Sequence, residues 1–129
     1  MMKIIVYLSP VNDDSGPFEY IPRPFTSKIV RSLNYNYEHI QNETIQRIVA
    51  PLNYKTCTGT SGTVIFADTG SIFHRGQIPI SSDRFAIFFY YTSRRPKHPF
   101  YCEYSLDNKD LLFLSQKLSQ HQKQCLLWR

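Results

Sequence analysis

Cysteine is scarce and poorly placed for cross-linking: Cys57, Cys102 and Cys125 are odd in number, widely spaced and without a Cys-x-x-Cys pair. That pattern supports neither a disulfide framework nor a zinc site and leaves free thiols. No run of about 18 apolar residues occurs, which removes a membrane-spanning helix from consideration. The opening MMKIIVYLSPVNDD has neither the basic region nor the small-residue cleavage site of an export signal. A cytoplasmic protein with no membrane partner is expected. Internal repeats and low-complexity stretches are also lacking. None of the four histidines, His39, His74, His98 and His121, opens a His-x-Asp or His-x-Glu pair.

What is present suits a single small domain over residues 1–129: 42% hydrophobic and 15% aromatic residues bury one core but not two. The net charge of +5 invites a nucleic-acid partner, and Arg94-Arg95-Pro96-Lys97-His98 is the obvious basic cluster. It contains proline, directly follows an aromatic strand and has no RNA-binding signature around it, so it reads as a solvated loop and no nucleic-acid partner is expected.

The most informative stretch is 62–84, GTVIFADTGSIFHRGQIPISSDR. Residues 63–66 are a β-branched and aromatic run, Asp68-Thr69-Gly70 is a turn cluster, and residues 71–74 resume an extended apolar stretch. Gly76, Pro79 and the paired serines then break the pattern before RFAIFFYYT, residues 84–92, forms a long aromatic strand. With alternation of side chains, Arg84 shares a face with Ala86, Phe88 and Tyr90. A guanidinium on an apolar face needs an anionic partner, either Asp83, Asp68 or Glu103 or a bound dicarboxylate. His74 alone on a strand is an ordinary structural histidine or a metal ligand. Asp13-Asp14 sits in a segment saturated with turn formers and reads as an exposed hairpin end.

Strands are expected at 3–8, 18–21, 55–57, 63–66, 71–74 and 84–92. Between them, residues 26–52 carry Ile29, Val30 and Leu33, then Ile45, Ile48 and Val49, at helical spacing, with Asn42 as a cap and Pro51 as a stop. The tail from 108 onward places Leu111, Leu114, Leu118 and Leu126 on a helical stripe with Asn108 as its cap. The expected fold is mainly β with inserted helices: a partial jelly roll plus a C-terminal helix, whose missing strands leave edges and one side of the core open.

Two of these stretches, 3–22 (KIIVYLSPVNDDSGPFEYIP) and 62–92, resemble the phytanoyl-CoA dioxygenase family of Fe(II)/2-oxoglutarate-dependent oxygenases. The resemblance implies that His74 takes the distal iron-ligand position and Arg84 the 2-oxoglutarate-binding position. It implies Fe(II) and 2-oxoglutarate as cofactors and hydroxylation of a small organic substrate. Such enzymes hold iron with two histidines and one carboxylate on one face, and the planar fork of an arginine suits the far carboxylate of the co-substrate. The chain departs from the family in two places: the His-x-Asp pair that precedes the first strand has no position here, and Pro22-Arg23-Pro24-Phe25 replaces the Pro-Gly-Ser-His turn. Three accounts follow. The chain is the C-terminal part of an oxygenase whose remaining N-terminal segment lies elsewhere; it is a non-catalytic binding module with a vestigial pocket; or a second chain, as in a homodimer, completes the site.

Overall fold

A computed structural model describes residues 1–36, 39–93 and 106–127. The chain divides into two compact units, Met1–Tyr91 and Thr92–Arg129. The first unit holds six strands: β1 (Met2–Tyr7), β2 (Phe18–Tyr20), β3 (Lys55–Cys57), β4 (Val64–Asp68), β5 (His74–Gly76) and β6 (Ala86–Tyr91). They form two antiparallel three-stranded sheets, ordered β4-β1-β6 and β3-β2-β5. Two helices, α1 (Arg23–Leu33) and α2 (Asn42–Gln46), lie in the chain between β2 and β3.

Register decides which residues lie between the sheets. Lys3 stands opposite Ala67 and Tyr90, and Ile5 opposite Ile65 and Phe88; with Tyr7 they alternate onto one side of β1. In the other sheet Phe18 stands opposite Cys57 and Gly76, and Tyr20 opposite Lys55 and His74. Ile5, Tyr7, Val11 and Ala67 pack with Phe18 in one buried cluster, so these two sides face each other. Tyr7 ties the sheets together. Its side chain is fully buried, its hydroxyl donates to the Cys57 carbonyl at 2.7 Å, and the same oxygen accepts the Phe18 amide at 3.2 Å.

A separate apolar cluster gathers Ile21, Ile29 and Val49, joined by Phe25, Leu33, Ile45 and Phe73. Phe25, Ile29 and Leu33 recur four apart, which makes the stripe of α1. Pro24 sits in its first turn, where a missing amide costs nothing. Asn34 in the left-handed region (φ 46°) ends it, with the Tyr35 amide returning to the Val30 carbonyl at 3.1 Å.

Several local expectations shift. Residues 71 and 72 form a bend, and β5 begins only at His74. Arg84 precedes β6, which starts at Ala86. Asn42 opens α2 without a side-chain cap, and Pro51 begins a short 3₁₀ turn (Pro51–Asn53) after α2 has ended. Asp13–Ser15 is a 3₁₀ turn with both acids exposed, as the turn formers imply.

The second unit contains α3 (Asn108–Ser115) and α4 (Gln120–Leu126). The single tail helix expected from the leucine stripe is therefore two. Asp107, not Asn108, caps α3 by accepting the Asp110 amide at 2.9 Å. Ser119 breaks the stripe because it caps α4 in a reciprocal pair with Gln122. With α1 to α4 present, helices occupy as much of the described chain as strands. The architecture is two antiparallel sheets with helices, a mixed rather than mainly β chain. No helix among the described residues is long and apolar enough to cross a membrane.

Candidate functional site

His74 is the first residue of β5, an edge strand of its sheet. Its ring lies 5.6 Å from that of the buried Phe18, in the space between the sheets. Its Nε2 is 3.2 Å from the Nζ of Lys3, which reaches across from β1. An ammonium has no lone pair, so this bond makes Nε2 the acceptor and puts the proton on Nδ1, which lies 3.4 Å from the Ile72 carbonyl. Burial lowers the basicity of His74, and the Lys3 charge lowers it further. The imidazole is neutral with its lone pair turned inward. Burial also lowers the pKa of Lys3, whose Nζ lies 5.2 Å from the centre of the Tyr90 ring.

Arg84 reaches the same side of β5 from the segment before β6. Its guanidinium donates to the Gly16 carbonyl. Gly76 permits this approach: a Cβ there would stand 2.8 Å from Arg84 Nη2. Gly76 lies two residues beyond His74 and opposite Phe18, so both candidate residues face the interior. His74 and Arg84 therefore lie on the same side of β5, His74 at its first residue and the Arg84 guanidinium beside its last, Gly76. The described residues contain no ion pair for Arg84; its expected alternatives Asp83 and Asp68 do not bridge to it, and Glu103 lies outside the described residues, as do the basic cluster 94–98 and Cys102.

On the outer side of the same strands a charged network joins β2 to β5. Glu19, a buried carboxylate, accepts Arg75 Nε at 2.6 Å and Gln77 Nε2 at 2.7 Å. A cleft of about 1010 Å³ runs along the free edge of β5, bordered by Tyr20, Val30, Ile45, Phe73, His74 and Arg75.

Among the described residues no group of three His, Cys, Asp or Glu side chains could hold a metal ion. One imidazole is not the three-ligand face that iron needs, so these residues alone do not fit Fe(II). The interior does fit an anion, because among the described residues neither Lys3 nor Arg84 has a carboxylate partner.

Sequence reasoning singled out His74 and Arg84 but not Lys3 or the Glu19–Arg75–Gln77 network. For Lys3 a signal exists, since it precedes Ile5 and Tyr7 by even steps; Ile4 and Val6 on the other side hide which side is the core. No protein-family model matches the chain, and no curated protein or solved structure is significantly similar to it.

Proposed function

We propose that the chain is the C-terminal part of a jelly roll of the phytanoyl-CoA dioxygenase family, an Fe(II)/2-oxoglutarate-dependent oxygenase once its site is completed. The observation that carries this reading is the placement of His74 and, beside Gly76, of Arg84 on the interior side of one strand, β5. Strand order supports it as well. Successive strands distribute between the sheets so that one further strand beside β6 and one beside β5 would give two sheets of four, the eight strands of a jelly roll. Phe88 and Tyr90, on the interior side of β6, are 39% and 58% exposed, as expected of a sandwich open on that side.

On this reading the protein works in the cytoplasm on a small organic substrate, oxidised together with decarboxylation of 2-oxoglutarate. Arg84 orients the co-substrate through its far carboxylate. His74 supplies one iron ligand, and the other two come from a segment or a second chain outside the described residues. The absence of a three-ligand group among the described residues favours a second reading, a non-catalytic module that keeps the anion pocket.

The test is 2-oxoglutarate binding by calorimetry with the Arg84→Ala and Arg94→Ala variants. Arg84→Ala is expected to weaken binding by roughly tenfold or more, the loss of one charge-assisted pair, with Arg94→Ala near wild type. Equal effects would remove Arg84 as the anchor and both readings with it. Iron-dependent release of succinate separates the first reading from the second.

A further inference from the structure

We infer that Lys3 and Arg84 together form a metal-free site for a small dicarboxylate, with Lys3 holding the carboxylate at the His74 end and Arg84 the other. The inference deepens the second reading and rests on the same interior placement of Arg84.

Charge accounting comes first. Lys3 is half-buried, and its contacts are one bond to a neutral imidazole and the face of Tyr90. Arg84 donates to one backbone carbonyl. None of the interior-facing positions of the six strands is Asp or Glu. The buried acid nearest in the fold, Glu19, lies on the outer side of its sheet and is committed to Arg75 and Gln77. Two part-buried cations with no anion among the described residues are costly, and the deficit is met when an anion binds between them.

Spacing comes second. Lys3 Nζ meets β5 at His74, and the Arg84 guanidinium meets it at Gly76. Those positions are two residues apart on one side of a strand, roughly 7 Å. A four- or five-carbon dicarboxylate spans that distance with a hydrogen bond at each end. Donors remain for it: an ammonium has three, of which His74 takes one, and a guanidinium has five, of which Gly16 takes one. Lys3 Nζ is hydrogen-bonded to His74 Nε2, so the protein's own cation stands at that nitrogen.

The experiment is calorimetric titration of the full chain in EDTA with 2-oxoglutarate, succinate and butyrate. Both dicarboxylates are expected to bind within a few-fold of each other, since neither a metal nor the keto group is required, and butyrate is expected to bind roughly tenfold more weakly or worse. Lys3→Met and Arg84→Met should each weaken dicarboxylate binding by roughly ten- to a hundredfold. Lys3→Arg should restore most of it, and Lys28→Met, at an exposed position on α1, should change nothing. Circular dichroism establishes that each variant is folded; if Lys3→Met is not, Lys3→Gln takes its place. Wild-type affinity in the folded Lys3 variant overturns the proposal. So does dicarboxylate binding that appears only when Fe(II) is added, a result that would leave the oxygenase reading standing. Arg84-dependent binding in EDTA that iron neither strengthens nor turns into succinate release would support this site and count against the oxygenase.

Discussion

Arg75→Ala should destabilise the first unit by about 2 kcal/mol. The Glu19 side chain is 9% exposed and accepts from two side chains, Arg75 and Gln77. Removing one partner of a buried charge commonly costs about 3–5 kcal/mol. Two features reduce that figure here: the Gln77 bond survives, and the Arg75 side chain is 36% exposed, so water enters where it was. A charge-assisted hydrogen bond is worth about 1.5–3 kcal/mol, which sets the scale of what remains. Glu19→Gln keeps an acceptor and removes the charge to be neutralised, so it should cost less, about 1 kcal/mol. The double variant should cost less than the sum of the single changes, because both act on one bond. The assay is urea unfolding followed by circular dichroism. At a slope of about 1–2 kcal/mol per molar, the Arg75→Ala midpoint falls by roughly 1–2 M. A midpoint within about 0.3 M of wild type would show that the network carries no stability and that β5 is held against β2 by its backbone ladder alone.

Two tyrosine-to-phenylalanine changes should run in opposite directions: Tyr7→Phe strands the Phe18 amide and the Cys57 carbonyl and should cost about 1–3 kcal/mol, whereas Tyr54→Phe removes a buried hydroxyl without a hydrogen-bond partner and should gain about 1 kcal/mol. Thermal midpoints moving the same way would refute that contrast. Acid sensitivity should depend on Asp68, whose pKa is held below its ordinary 3.8 first by the Ser71 hydroxyl at 2.6 Å and then by the Met1 ammonium at 3.7 Å. Its folded value lies below its unfolded one, so the stabilisation is present above about pH 4 and is lost as pH falls through the folded value. The side chain is 62% exposed, which keeps the effect well under ~1 kcal/mol. Ser71→Ala should flatten the decline in urea midpoint below pH 4, and an unchanged decline would remove Ser71 as its cause.

Elements with strong local signals were legible in the sequence. The β-branched and aromatic runs mark β1, β4 and β6, and the spacing of Ile29, Val30 and Leu33 marks α1, which starts at Arg23, before the expected 26. Boundaries failed where a tertiary partner decides them. His74 to Gly76 forms a strand because Tyr20 and Phe18 lie opposite it; the more β-prone Ser71 to Phe73 stays outside it, bending at Ser71 and Ile72, with Ser71 tied back to Asp68. Arg84 faces inward although it lies outside β6, because Gly76 leaves room for its guanidinium. The site is legible only in half. His74 and Arg84 stand ten positions apart in one segment, whereas Lys3 is 71 residues from His74, and Glu19 is 56 from Arg75. Periodicity carries no information about pairs so distant; the register of β1 and β2 supplies it.

The free side of β6 has a consequence for handling the protein. Among the described residues this strand is paired on one side only. Phe85 to Tyr91 reads FAIFFYY, with no charge, proline or glycine. Its aromatic side chains are 39–62% exposed. Such a segment is a template for stacking further strands from other molecules. Arg84, the charge next to it on the N-terminal side, is turned inward to Gly16 rather than outward as a guard. Concentrated solutions should therefore form thioflavin-positive aggregates that begin at this edge, and a lysine in place of Phe89 should delay them.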